Sequence, residues 1–183
     1  MSKYQKSKKV LVLAAHPDDE TFGCGATINK LSKEGYSIEL ITFTDGVGSR
    51  QQDSDKKVKN RNLKLEKVSK KLGIKKYTYG DFPDNALDSV ALLELSRFIE
   101  KNTEGVYDII FTHFAGDLNI DHQLVAKATL IAFRPQFGHV TKIYSYYVPS
   151  ATDYNPLNCF DGNSYFQVSK KHVDTKSQAL LIY

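Results

Sequence analysis

Residues 10–15, Val-Leu-Val-Leu-Ala-Ala, form an unbroken apolar run between Lys9 and His16, the pattern of a central parallel strand buried on both faces. Ala26, Ile28 and Leu31 then recur at helical spacing, from a start near Phe22 to a stop at Gly35, and residues 37–43 read as a second strand. Residues 44–55 are rich in Gly, Ser, Asp and Gln and predict a loop, after which Val58, Leu65, Val68 and Leu72 mark a second helix closed by Gly73. A third strand follows at residues 76–79 and a loop at 81–85. Leu92, Leu93, Leu95, Phe98 and Ile99 outline a third helix, and residues 107–112 a fourth strand. Residues 113–121 make a polar loop, 122–133 a fourth helix, and 142–148, with Tyr144, Tyr146 and Tyr147, a fifth strand. A long loop over 150–163, a short strand over 165–168 and a helix from Ser169 complete the pattern. That helix is still in register at Tyr183, so we expect further chain beyond it.

Strands alternating with helices at this spacing predict a Rossmann-like α/β fold, a mostly parallel sheet with helices on both faces. The 183 residues, 41% of them hydrophobic, suffice for one core, and we expect a single domain over 1–183. A net charge of +4 argues against nucleic acid or a membrane surface as partner. The cationic run from Lys56 to Lys76, Arg61 included, reads as the solvated face of the second helix. Cys24 and Cys159 form no paired or metal-like spacing, which fits a reducing compartment. The first apolar run is too short for a signal-peptide core and no stretch is long enough to span a bilayer, so we expect a cytoplasmic protein without membrane insertion.

Ligands in such sheets bind beyond the carboxyl ends of the strands, and the segments there are rich in His and Asp. His16-Pro17-Asp18-Asp19-Glu20 follows the first strand, and Thr44-Asp45-Gly46 with Ser49 and Arg50 the second. Asp81 and Asp84 follow the third, and His113, Asp117, Asn119, Asp121 and His122 the fourth. A catalytic zinc takes three protein ligands from imidazole and carboxylate and leaves one position open. His16, one carboxylate of the Asp18-Asp19 pair and His122 supply such a set. Adjacent carboxylates also divide two jobs, one holding metal while its free neighbour takes a proton from water. His139 and His172 read as surface residues. Gly23-Cys24-Gly25 lacks the third glycine of a phosphate-cradling loop and is read instead as small residues that let the helix approach the metal loop.

The His16-Pro17-Asp18-Asp19-Glu20 loop after an apolar strand, with Asp121-His122 opening a helix after the fourth strand, resembles the LmbE-like or PIG-L family of zinc-dependent N-acetylglucosaminyl deacetylases. The resemblance implies one zinc ion held by His16, Asp19 and His122, Asp18 as general base, and Arg50 as a substrate contact. Asp84 and His113 are also expected at the substrate. Many family members carry a histidine three residues before the last zinc ligand. This chain has Asn119 there, which can donate a hydrogen bond to an oxyanion but cannot deliver a proton. We therefore expect Asp18, once protonated, to serve as the acid, ahead of His113 and of a residue in the chain expected beyond Tyr183. Asp121 is expected to orient an imidazole by accepting its other N–H. The implied activity is removal of the acetyl group from an N-acetylglucosamine-like sugar, free or linked to a nucleotide or lipid. The same machinery acting on another amide, such as a thiol-glycoside conjugate, and a non-catalytic nucleotide-binding module are the alternatives. The expected partner is a small amino-sugar, and self-association is left open.

Overall fold

The computed structural model describes residues 8–46, 54–135 and 142–183. Arg50 lies outside the described residues. Five strands, β1 (Lys9–Ala14), β2 (Ser37–Thr44), β3 (Ile74–Phe82), β4 (Ile109–His113) and β5 (Lys142–Tyr146), form one sheet in the order β3-β2-β1-β4-β5. Every neighbouring pair is parallel. β1 is central, pairing Leu11 with Glu39 on one side and with Ile110 on the other.

The continuous apolar run of β1 follows from this position, since alternate side chains of a strand enter opposite faces. Val10, Val12 and Ala14 enter one core with Ile28 and Leu31 of α1 (Asp19–Lys33), Leu65, Val68 and Leu72 of α2 (Ser54–Leu72) and Ala179 of α5 (Lys170–Leu180). Leu11, Leu13 and Ala15 enter the other, with Leu95 and Ile99 of α3 (Leu92–Asn102) and Val125 and Ala128 of α4 (Ile120–Ala132). Helices therefore cover both faces, as the alternation of elements predicts.

Three boundaries depart from the sequence reading. α1 begins at Asp19, not near Phe22, because Asp19 and Glu20 occupy its first turn, where the exposed N–H groups favour negative charge. β3 extends beyond 76–79 at both ends, its apolar Ile74 buried and its Gly80 lying against the β2 backbone, where a Cβ would sit 2.3 Å from the Phe43 carbonyl oxygen. The strand expected over 165–168 is not formed. Phe166 instead packs its ring 5.4 Å from Phe111 and 5.2 Å from Tyr144, so this segment is pinned by a side chain rather than by a backbone ladder.

Candidate metal centre

β1 and β4 are parallel neighbours whose onward connections lead to helices on opposite faces, so the edge beyond their carboxyl ends is where the sheet opens a crevice. His16 lies just past β1, Asp19 opens α1, and His122 sits in the first turn of α4. All three are largely buried. Asp19 Oδ2 lies 3.2 Å from His16 Nδ1 and 3.3 Å from His122 Nε2. One donor atom from each of the three falls within 4.8 Å of the others.

The outward nitrogen of each imidazole faces a second carboxylate. His16 Nε2 lies 3.2 Å from Asp121 Oδ2 and 3.4 Å from Asp84 Oδ1, and His122 Nδ1 lies 3.3 Å from Asp117 Oδ2. Carboxylates in that position fix the ring and its tautomer so that the opposite nitrogen is presented to a cation. They are themselves anchored. Asp121 accepts the N–H groups of Asn85 at 2.9 Å and Leu87 at 3.0 Å, one on each oxygen. Asp117 accepts the Thr152 hydroxyl at 2.6 Å and the Asn119 N–H at 2.9 Å. Two imidazoles, one carboxylate and a backing acceptor behind each ring match what a divalent metal of borderline softness requires. His16, Asp84 and Asp121 also converge, but both Asp121 oxygens already hold backbone donors of the loop after β3, so we take the first set as the metal-facing one.

The electrostatics show how strongly the cluster attracts positive charge. Burial alone would lower the His16 imidazole, yet hydrogen bonds to Asp121 and Asp19 outweigh it and raise the pKa to about 10. His122, likewise buried, is raised to about 9 by the charge of Asp19 and the contact with Asp117. Asp19 is held well below the usual carboxylate range, where the charge of His122 and hydrogen bonds from both rings overcome its burial. Asp18 goes the other way, raised to about 6 by burial first and by the neighbouring Asp19 second, with Arg61 opposing.

Asp18 occupies a positive φ of 132°, a region that side chains avoid and that is retained at functional sites where the surroundings enforce it. Its carboxylate receives the Arg61 guanidinium at 2.8 Å, and Arg61 also donates to the Pro17 carbonyl at 2.7 Å. An open cleft of about 240 Å³ is lined by the His16, Asp19 and His122 set together with Asp18, Asp84, Arg61, Asn85 and Asn119. The Asn119 side-chain oxygen caps α4, accepting from Asp121 N at 2.8 Å and His122 N at 3.4 Å. Its NH2 group donates to Asn85 at 3.3 Å. His113 lies elsewhere. It is fully buried behind His122, ring centroids 3.9 Å apart, and its Nε2 accepts the Ala15 N–H at 2.8 Å. It does not line the cleft, and burial followed by the charge of His122 holds its pKa well below normal.

Sequence reasoning thus brings His16, Asp18, Asp19, Asp84, Asn119, Asp121 and His122 to one place. It gave no role to Arg61 or Asp117. Arg61 is read onto the solvated face of its helix, yet it precedes Leu65, Val68 and Leu72 by four, seven and eleven positions. That spacing borders the buried stripe of the helix, a signal that periodicity offers without separating the stripe from its solvated edge. Asp117 offered no comparable cue, because its partner Thr152 is distant in sequence.

Comparison with known proteins follows the same lines. The family model described as "PIG-L: GlcNAc-PI de-N-acetylase" matches residues 11–133. The chain is 28% identical over 158 residues to the "uncharacterized deacetylase YaiS" of Escherichia coli K12, covering 82% of this chain and 79% of that one. It is 40% identical over 104 residues to the diacetylchitobiose deacetylase of Thermococcus kodakarensis, covering 54% of this chain and 39% of the relative. The N,N'-diacetylchitobiose deacetylase from Pyrococcus horikoshii, solved with its inhibitor MPG, shares the fold with a TM-score of 0.72 at 21% identity, over 98% of this chain and 70% of that one.

Proposed function

Because the chain belongs to the PIG-L family of de-N-acetylases, we propose that it is a zinc-dependent hydrolase that removes the acetyl group from the nitrogen of an N-acetylglucosamine-like sugar. The observation that carries the reading is Asp19 Oδ2 set between His16 Nδ1 and His122 Nε2, 3.2 and 3.3 Å away, with the Asp18 carboxylate beside them on the same cleft. The names of the curated relatives, deacetylases acting on diacetylchitobiose and on an acetamido-glucopyranoside of myo-inositol, point to the same substrate class.

In this reading His16, Asp19 and His122 hold the ion, which supplies a Lewis acid and makes a water nucleophilic near neutral pH. Asp18 takes the proton from the attacking water, a role suited to a carboxylate that is ionised at pH 7 yet basic enough, at about 6, to accept one. The Asn119 oxygen is committed to its helix cap, so only its NH2 group is available to donate to the carbonyl oxygen as negative charge develops there. Asp18 then returns its proton to the departing nitrogen, leaving acetate and a free amino-sugar. His113, buried behind His122 with Nε2 already accepting from Ala15, is assigned no proton transfer. Asp84, on the cleft wall, is the candidate to meet sugar hydroxyls, while Arg61 is held by Asp18 and the Pro17 carbonyl. We place the reaction in the cytoplasm, in keeping with two free cysteines and with the lack of any helix among the described residues long and apolar enough to cross a membrane.

The test is acetate release from a panel of N-acetylated sugars with zinc-loaded protein. Release from N-acetylglucosamine-type substrates, abolished by chelation and restored by zinc, is expected. A protein that carries no zinc and takes none up on titration overturns the reading.

A further inference from the structure

Tyr183 is far from the first crossover loop in sequence yet braces it in two ways. Its hydroxyl donates to Glu20 Oε1 at 2.9 Å, and the Arg61 guanidinium carbon lies 5.4 Å from its ring centroid. The Lys64 ammonium of α2 donates to the Tyr183 main-chain oxygen and fixes the residue against that helix. Glu20 is fully buried, and its other oxygen accepts the Asp18 N–H at 3.0 Å. Arg61 holds the opposite end of the same residue, donating to Asp18 Oδ2 at 2.8 Å. Asp18 is thus gripped at its backbone by Glu20 and at its carboxylate by Arg61, and Tyr183 contacts both grips. A residue at φ 132° keeps that conformation only where its neighbours enforce it. A guanidinium on a long stem otherwise has many rotamers from which to reach solvent. The aromatic face beneath Arg61 removes that freedom, because cation and ring attract where water is partly excluded.

We propose that Tyr183 is a positioning residue, which aims the Asp18 carboxylate into the metal cleft by holding Arg61 and Glu20 in place. This rests on Asp18 being the proton acceptor of the deacetylation. Two variants separate the contacts: Tyr183→Phe keeps the ring over Arg61 and loses the hydroxyl, and Tyr183→Leu loses both. The full chain, zinc-loaded, is assayed for kcat, KM and zinc per chain, and each variant is crystallised. Misplacing a reacting group by about 1 Å costs up to about a hundredfold in rate. We therefore expect Tyr183→Leu to lose about tenfold or more in kcat, with KM within about twofold and zinc at the parent level. Tyr183→Phe is expected to recover most of that loss. In the Tyr183→Leu crystal Arg61 is expected to have left Asp18.

A Tyr183→Leu protein with the parent's kcat overturns the proposal, as does a fall in kcat matched by equal loss of zinc, which marks a structural role. Arg61 still paired with Asp18 in that variant overturns it too. If Tyr183→Leu does not fold, Tyr183→Met, which also lacks the ring and the hydroxyl, takes its place, and a parent kcat with Arg61 still paired with Asp18 overturns the proposal. Should the parent itself release no acetate, the deacetylase reading fails on its own, and the crystallographic position of Arg61 alone decides the positioning claim.

Discussion

Asp18 and Asp19 are neighbours in the chain with opposite electrostatic fates. Asp19 sits among imidazoles and stays ionised, whereas Asp18, buried beside it, is raised to about 6. The side chains of adjacent residues diverge, so one turns toward the histidines and the other toward Arg61. Asp18→Asn is expected to retain stoichiometric zinc while kcat falls by about 10²–10⁴-fold, and Asp19→Ala to lose the metal. Equal metal loss in both variants, measured by elemental analysis, reverses the two roles. The pH dependence follows from the sign of the shift. Asp18 must be deprotonated to act, and a bound dication draws its pKa down from about 6. The rate kcat/KM is therefore expected to fall with acidification along a limb whose apparent pKa is no higher than about 6. A limb centred above neutrality speaks against Asp18. The pair was legible in sequence because the loop was short and its residue types narrow. Arg61 was not, because a cation four positions ahead of a leucine stripe reads equally as the edge of the solvated face. Only the loop after β1, folded over α2, decides between them.

Among the elements, α1 shows how a small residue shapes the site. A Cβ added to Gly23 would stand 2.2 Å from Cδ2 of Tyr146, so no side chain fits between this helix and β5. Small residues here were expected to let the helix approach the metal loop; the group that Gly23 admits is instead the Tyr146 ring of β5. The Tyr146 hydroxyl donates to the Leu13 carbonyl at 2.9 Å and lies 3.2 Å from Nε2 of His113, which in turn stacks on His122. Gly23→Ala is therefore expected to destabilise the fold by about 1–3 kcal/mol through overpacking and to weaken zinc binding through the shifted ring stack. Urea unfolding and zinc titration measure the two effects, and an unchanged midpoint removes the argument. Helices and central strands were readable from periodicity. The segment over 165–168 was not, because alternation of apolar and polar residues describes a strand only where a partner strand accepts it, and here Phe166 packs alone against Phe111 and Tyr144.

For the whole molecule, the order β3-β2-β1-β4-β5 places the two connections that carry His16, Asp19 and His122 side by side, although they are about a hundred residues apart. The Val-Leu-Val-Leu-Ala-Ala run and the alternation of elements were enough to foresee a central β1 and covered sheet faces. They could not foresee Asp117 with Thr152 or Tyr183 with Glu20, since pairings of that span depend on where loops and the last helix come to rest. The same architecture also sets the charge balance of the centre. Its histidines, raised to about 10 and about 9, bind protons firmly enough to balance the surrounding carboxylates. An incoming ion is expected to displace protons from these rings, so calorimetry in buffers of different ionisation heat should register a release and an affinity that climbs with pH. Stripping the ion with a chelator should accordingly silence the protein without dismantling it. Far-ultraviolet circular dichroism is expected to stay unchanged and the melting point to drop only by the share of stability that ligation contributed, since the β1–β4 ladder and the two apolar cores that join the halves of the sheet do not run through the metal-facing side chains.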